Sequence, residues 1–326
     1  MTTLPWATAI TVNCRNHRDT IECVESLLKQ DYPNFHIFVL DNGSFDDSAE
    51  QLEVWGRRRL GNDFLSLPVD GAGQQSFCQK VVLFKSGENL GFAGGNNLVC
   101  QFALCAGAVY IWFINNDTVQ DSAALSKLVS VVQENSTAGM VCSKILYSSK
   151  ADTIESMGSS LIVPFGIFRH IRHGAKDSGL SSVPMEIPYV YGCSFLVSAG
   201  LIKAVGLMDE RYFLLREESD WSLRARRKGW RLYCSPESRV WHKGTASMGK
   251  RSGTFFYYVT RNTLLFMQKH YPLFLPTAAL VMFPLVCGLI LVDSLLSERR
   301  GPIAKLRMAA LGYLDFFRGR FGRLKE

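Results

Sequence analysis

The nine cysteines of this 326-residue chain contain no Cys-x-x-Cys pair and no regular spacing. A disulfide framework is therefore not expected. Cys14, Cys142 and Cys193 lie in apolar, strand-like runs and read as buried free thiols of a reducing compartment. No basic segment precedes an apolar stretch ahead of the first strand-like run, so no signal peptide is expected, and the globular part is expected on the cytoplasmic side. The turn after that run has no glycine, and the glycine-rich segment near residue 91 does not follow G-x-G-x-x-G, which argues against a dinucleotide fingerprint. Charge is missing altogether from Leu273 to Val292.

Apolar residues make up 47% of the chain, which supports a sizeable core and excludes global disorder. The net charge is +7. Much of the excess lies beyond residue 296, where Arg299, Arg300, Lys305, Arg307, Arg318, Arg320, Arg323 and Lys325 face only Glu298, Asp315 and Glu326. A basic tail beside an apolar segment points to anionic lipid and not to nucleic acid. The uncharged stretch is just long enough to cross a bilayer at about 1.5 Å per residue. It carries Pro276 and Pro284, and both flanks are basic (Lys250, Arg251, Arg261 and Lys269 before; Arg299 and Arg300 after). A re-entrant or interface-lying segment is expected over a full crossing, with a buried helical hairpin as the rival.

The first half alternates strand and helix. Strands are expected at 7–14, 36–41, 80–85, 109–114 and 139–146, and helices at 20–30, 93–106 and 122–134. Asp19 is the expected cap of the first helix, and Asp121 or Ser122 that of the third. This order implies a parallel sheet with helices on both faces. Residues 56–79 and 148–188 show no clear periodicity and read as a surface excursion and a functional loop region.

Polar clusters follow the strand-like runs. Asp41-Asn42-Gly43-Ser44 ends the second, and Asp41 there suits either a nucleotide's base or ribose, or an Asx-turn. Asn89, Gly91, Gly94 and Asn97 occupy a turn and helix start where backbone N–H groups can meet phosphates. Asn115-Asn116-Asp117 ends an apolar strand, and Asp117 at such a tip suits Mg or Mn. Glu217-Glu218-Ser219-Asp220-Trp221 and, later, His242 add carboxylates and an imidazole. Strand tips of open α/β sheets are where ligands bind. Asp220 and Arg224, four apart, read as a helix-start pair, and Trp221, Trp230 and Trp241 either stack on sugars or fill core.

As an ordered set these elements resemble the family 2 glycosyltransferases, in particular their rhamnosyltransferase-like branch. The resemblance extends through Tyr191-Gly192-Cys193, Gly206-Leu207-Met208-Asp209-Glu210, Glu217–Arg224, Gly229-Trp230 with His242 and Ser247, Tyr257-Tyr258 with Arg261-Asn262, and the ending Gly312–Arg320. It implies an α/β fold of the GT-A type, Rossmann-like with a mostly parallel sheet, and a C-terminal helical, membrane-associating extension. The implied organisation is a catalytic domain at 1–250, with a nucleotide-sugar half at 1–147 and an acceptor half at 148–250, followed by a helical region at 251–326. The implied activity is inverting, metal-dependent transfer of a sugar from a dTDP- or UDP-linked donor to a hydroxyl of a glycan or lipid-linked acceptor, at the cytoplasmic face of the inner membrane. Rhamnose is suggested by the branch, with UDP-linked hexoses and galactofuranose as rivals. Glu218 takes the base position with Glu217 beside it in reserve, since the family usually has Asp where this chain has Glu218. Asp117 and His242 would hold Mg or Mn. Asn13, Asp41, Asn89, Gly91, Gly94, Asn97, Asn115, Asn116 and Asp117 would contact the nucleotide sugar. Asn115 departs from a two-Asp metal motif, which implies weak metal binding without nucleotide. A nucleotidyltransferase on a similar sheet and a non-catalytic membrane scaffold are the alternatives.

Overall fold

The computed structural model describes residues 4–72, 77–178, 181–244, 252–296 and 302–325. Ser247, Lys250, Arg251, Glu298, Arg299, Arg300 and Glu326 lie outside the described residues.

The amino-terminal half runs β1 (Ala7–Asn13), α1 (His17–Leu27), β2 (Phe35–Asn42), α2 (Ser48–Leu60), β3 (Phe64–Pro68), β4 (Val81–Ser86), α3 (Gly91–Cys105), β5 (Tyr110–Asn115), β6 (Thr118–Gln120), α4 (Ala124–Glu134) and β7 (Ala138–Tyr147). Then follow β8 (Lys150–Ser156), β9 (Ser159–Ile162), β10 (Ile167–His170), β11 (Met185–Glu186), β12 (Ser194–Ser198), α5 (Ala199–Val205), α6 (Glu217–Arg227) and β13 (Arg231–His242). Helices α7 (Gly253–His270), α8 (Leu275–Leu296) and α9 (Pro302–Phe317) close the chain.

The main sheet has the order β11-β13-β7-β12-β5-β1-β2-β4-β3. Strands β5, β1, β2, β4 and β3 are mutually parallel, and β12 enters antiparallel between β5 and β7. The parallel strands are apolar on both faces because both faces are covered. Along β2, Ile37 and Val39 pack with Val24 and Leu27 of α1 and Leu125 and Leu128 of α4. Phe38 and Leu40 turn the other way, onto Val99 and Ala103 of α3. That period of two fixes the register, so the carboxyl ends of β1, β2, β4 and β5 finish together at one edge.

Several local expectations are corrected. Residues 56–79 are not an excursion throughout: they hold the end of α2 and the edge strand β3, which pairs with β4. Helix α2 buries little beyond Leu52, Ser48 and Gly56, so its apolar stripe is too thin to read. Residues 148–188 contain the short strands β8 to β11. Asp19 lies in the first turn of α1 and does not cap it; Asn16 holds that position and donates to Asp19 at 2.6 Å. Residue 123 is the cap of α4, although Asp121 does accept from the Ala123 N–H. All nine cysteines are free of disulfides, as expected. Trp221 is core, edge-on to Phe113, with its indole N–H on the Gly206 carbonyl.

The uncharged segment forms one helix across Pro284, with no re-entrant break. Pro272–Leu295 is long and apolar enough to cross a membrane, with a mean hydropathy of 2.4, and 28% of its most apolar 18-residue window is buried. Its inner side (Met282, Val286, Ile290) packs with Phe256 of α7 and Ala309 of α9.

Candidate active site

At the shared strand edge the structure encloses a cavity of about 450 Å³. Its floor comes from the strand tips: Cys14 and Arg15 after β1, Asn42 of β2, and Asn115, Asn116 and Asp117 at and beyond β5. Asn89, Gly91 and Phe92 form one wall, and Phe213, Leu214, Tyr258, Arg323 and Leu324 another.

Asn13 and Asp41 do not line this space. They are register partners across β1 and β2, and the Asn13 amide donates to Asp41 Oδ1 at 2.7 Å. Ser44 donates to the same oxygen at 2.7 Å, and Asp41 is 2% exposed. Thr20 accepts from Asn116 Nδ2 at 2.9 Å and donates to Asn13 Oδ1 at 2.8 Å, so an unbroken hydrogen-bond chain ties the β5 tip to the β2 tip. Successive strand residues face opposite ways, and it is Asn42, one residue on, that reaches the cavity. Asn42 accepts from Leu90 N at 3.0 Å and donates to the Gly91 carbonyl at 3.0 Å, clamping the glycine-rich turn.

That turn is coupled to the approach of α6. Gly91 has φ +74°, and a Cβ there would overlap the Phe213 carbonyl oxygen, which accepts from Phe92 N at 2.7 Å. Phe213, Leu215 and Arg216 themselves hold positive φ (60°, 69°, 81°). Such backbone costs about 1–3 kcal/mol per residue and persists only where its surroundings fix it. Here Asn262 Nδ2 is shared among the carbonyls of Tyr212, Leu214 and Leu215 at 2.7–2.9 Å. Gly94 and Asn97 lie deeper in α3. Asn97 bonds Met208 in both directions and donates to Glu210 at 2.9 Å, so it braces this loop and does not line the cavity.

The loop delivers Glu217 and Glu218 at the start of α6. Glu217 is buried and its Oε2 has no partner. Burial, then the neighbouring Glu218 charge, push its carboxyl well above the usual carboxylate range. Glu218 is half-buried; burial raises its carboxyl too, opposed by Arg216. Its side chain lies against Gly192, where an added Cβ would be 3.5 Å from Glu218 Cγ. The next residue, Cys193, accepts from Asn115 N at 2.9 Å. Glu218 is thus outside the lining of the 450 Å³ cavity but beside the strand that borders the β5 tip. Asp220 is fully buried and paired with Arg224 (2.8 Å), His270 (2.7 Å) and Lys269 (2.7 Å), the expected structural role. Burial opposes its ionisation, and these partners still hold its carboxyl below the usual range.

Asp117 and His242 come together. His242 Nε2 lies 3.3 Å from Asp117 Oδ1 without hydrogen-bond alignment, and both Nε2 and Asp117 Oδ2 are buried without a hydrogen-bond partner. His242 Nδ1 is fixed by Glu155 Oε2 at 2.7 Å. Burial would lower the imidazole, but the Asp117 and Glu155 carboxylates outweigh it and push it up to about 9. A second carboxylate orienting the far nitrogen is the usual support of a metal-binding histidine. An orphaned carboxylate oxygen and an orphaned imidazole nitrogen on neighbouring side chains suit a divalent cation, whose binding would displace the imidazole proton. Among the described residues no group of three or more His, Cys, Asp or Glu could hold a metal ion, so further ligands would have to come from water or a bound anion.

Sequence reading missed Thr20, Asn42, Glu155, Tyr258 and Arg323. Asn42 stood beside the residue chosen, Glu155 in a stretch read as loop, and Tyr258 in a motif noted only for its familiarity. Nothing local marks Arg323 as different from the other basic residues of the tail.

A model of the family described as Glycosyl transferase family 2 matches residues 9–206. The dTDP-rhamnosyl transferase RfbF of Shigella flexneri is 24% identical over 255 residues, which are 74% of this chain and 80% of that protein. Among solved structures, GalNAc-T7 with UDP, GalNAc and Mn2+ matches at TM-score 0.59 and 14% identity over 80% of this chain, which spans 48% of GalNAc-T7. The mannosyltransferase PcManGT of Pyrobaculum calidifontis, in complex with GDP-Man and Mn2+, matches at 0.56 and 14% identity over 97% of this chain and 88% of that one. S. aureus TarS 1-349 matches at 0.52 and 13% identity over 95% and 80%. These likenesses establish the shared GT-A fold.

Proposed function

The chain belongs to glycosyl transferase family 2, and on that premise we propose that it moves a sugar from a nucleoside diphosphate donor to a hydroxyl of a glycan or lipid-linked acceptor, with inversion at the anomeric carbon. The observation that carries this reading is that the ionisable residues Asp117, His242 and Glu217, on elements at the carboxyl edge of the sheet, each keep a buried side-chain atom (Oδ2, Nε2 and Oε2) without a hydrogen-bond partner, three of nine such atoms among the described residues. Folded proteins satisfy nearly all buried polar groups, so acids and an imidazole left over at the ligand edge of the sheet speak for a ligand.

In this reading the donor's nucleotide occupies the cavity between Asn42, Asn89 and the Asn115–Asp117 turn. Asn13 and Asp41 act from behind, holding the two strand tips at a fixed spacing, and Gly94 and Asn97 hold the loop that carries the acids. Asp117 and His242 would hold Mg or Mn, which would supply charge neutralisation for the leaving diphosphate. Glu218 accepts the proton of the attacking hydroxyl. Its half-exposure gives an acceptor access, and its raised pKa makes it a better base than an ordinary carboxylate. Glu217, more deeply buried, is the reserve for that role.

The likeness to a dTDP-rhamnosyl transferase favours a dTDP-linked deoxysugar as donor, with UDP-linked sugars next, and surface polysaccharide as the product class. Helix α8 supports contact with the cytoplasmic face of a membrane: Leu280 is 75% exposed and Leu295 84%, too much apolar surface to leave in water. In this reading the catalytic domain is 1–250 and a helical, membrane-associated region is 251–326, of which Tyr258, Arg323 and Leu324 also line the cavity.

The test is turnover. With Mn and a panel of nucleotide sugars, the protein should release nucleoside diphosphate only when an acceptor is present, and the product should carry the inverted anomeric configuration. Release of pyrophosphate would replace this reading by nucleotidyl transfer, and absence of any nucleotide-sugar binding would replace it by a scaffold.

A further inference from the structure

The last residues of the chain return to the cavity. Arg323 and Leu324 line it, as does Arg15 from the other end of the sequence. Both guanidinium groups are exposed, and no ion pair of either is found among the described residues. Cys14, itself a lining residue, senses the charge of both. Arg15 is aimed by its backbone: φ is +57°, and its N–H donates to Ser44 Oγ at 2.9 Å, within the Asp41 network. Asp46 feels the Arg15 charge from beyond ion-pair distance.

The tail is fixed in place by buried groups. Arg261 is fully buried, and its Nη1 donates to the Gly322 carbonyl at 2.7 Å, while Nη2 donates to the Tyr212 carbonyl at 3.0 Å. Gly322 N donates to the Arg211 carbonyl at 2.8 Å, and Leu324 N donates to the Tyr258 hydroxyl at 2.9 Å. Tyr258 stacks on Phe213, 5.5 Å between ring centroids. The same arginine thus fastens the tail and the strained loop that delivers Glu217 and Glu218.

We propose that this tail is the outer wall of the donor pocket, and that Arg323, together with Arg15, binds the diphosphate of the nucleotide donor. A guanidinium offers two parallel N–H donors to a phosphate, and two guanidinium groups lining one cavity match the charge of a diphosphate. The basic tail, assigned from sequence to anionic lipid, therefore divides its work. This inference rests on the donor reading of the cavity.

The test is calorimetric titration of the full chain, with Mn, against dTDP, UDP and GDP. For whichever nucleotide binds, Arg323→Ala should weaken it at least tenfold, Arg323→Glu further, and Arg323→Lys less than alanine. Arg15→Ala should weaken it similarly. Arg320→Ala, a basic tail residue outside the cavity lining, should leave it unchanged. Equal affinity in wild type, Arg323→Ala and Arg323→Glu overturns the role of the tail while leaving the donor pocket standing. A tenfold loss in Arg320→Ala as well reduces the effect to general charge and also overturns it. Failure of the wild-type chain to bind any of the three overturns the donor reading itself.

Discussion

The Phe213 carbonyl oxygen occupies the place where a side chain on Gly91 would begin. The glycine-rich turn beside the cavity and the loop leading to Glu217 and Glu218 are therefore in contact without intervening side chains. Gly91→Ala must relieve that overlap and also hold φ +74°, which alone costs about 1–2 kcal/mol in an L-residue. Urea unfolding should show a loss of at least that size. Turnover should fall further than stability accounts for, because the loop moves with the turn.

Asn262 offers a separate handle on the same loop. Asn262→Ala removes the amide shared by three carbonyls around the positive-φ residues. The expected result is a lower kcat together with weaker nucleotide binding, because Leu214 lines the cavity, read from steady-state kinetics and titration.

The two glutamates should separate by pH. Burial holds Glu217's folded pKa well above its unfolded 4.5. Below 4.5 the group is protonated in both states. As pH rises above that, the unfolded chain gives up its proton first, and stability falls until the folded carboxyl also ionises. Glu217→Gln should flatten this slope, with a Tm above wild type at pH 7–8 and close to it near pH 4. Glu218→Gln should lower kcat by about 10²–10⁴ while donor binding is retained. Full activity in Glu218→Gln with loss in Glu217→Gln would move the base by one residue.

Much of this site was legible in the sequence, and the gaps have physical reasons. Apolar strands ending abruptly in acid or amide marked Asn115, Asn116 and Asp117, which line the cavity, whereas Glu218 of the downstream acidic cluster lies outside its lining. The same rule chose Asp41, but strand tips place neighbouring residues on opposite sides, and in-register pairing with Asn13 turned Asp41 inward and left Asn42 at the cavity. Glu155 escaped because β8 begins with exposed residues and shows no alternation. Arg323 and Tyr258 escaped because their place depends on α7 and the tail folding back over the sheet edge, a contact between distant segments that no local pattern encodes.

Metal binding should depend on nucleotide. With Asp117 and His242 as the chain's own ligands, Mn alone should shift the Tm little. Mn with nucleoside diphosphate at about 100 times its Kd should add about 2.7 kcal/mol. Asp117→Asn should abolish the Mn-dependent part in a thermal-shift titration and keep the fold.

Membrane contact is tested apart from chemistry. Leu280→Glu with Leu295→Glu places charge on the exposed side of α8. Flotation with anionic vesicles should be lost, while nucleotide binding persists. Unchanged flotation would assign the lipid contact elsewhere.

Asp117 and Glu218 are 101 residues apart in sequence, and the proposed reaction needs both at one centre. A crystal of the protein soaked with Mn and an intact nucleotide sugar shows whether they meet there, with the anomalous signal marking the metal. Mn should be bonded to Asp117 and His242, with the anomeric carbon of the donor turned toward Glu218. Mn at another position, or a sugar whose anomeric carbon faces away from both glutamates, would contradict it.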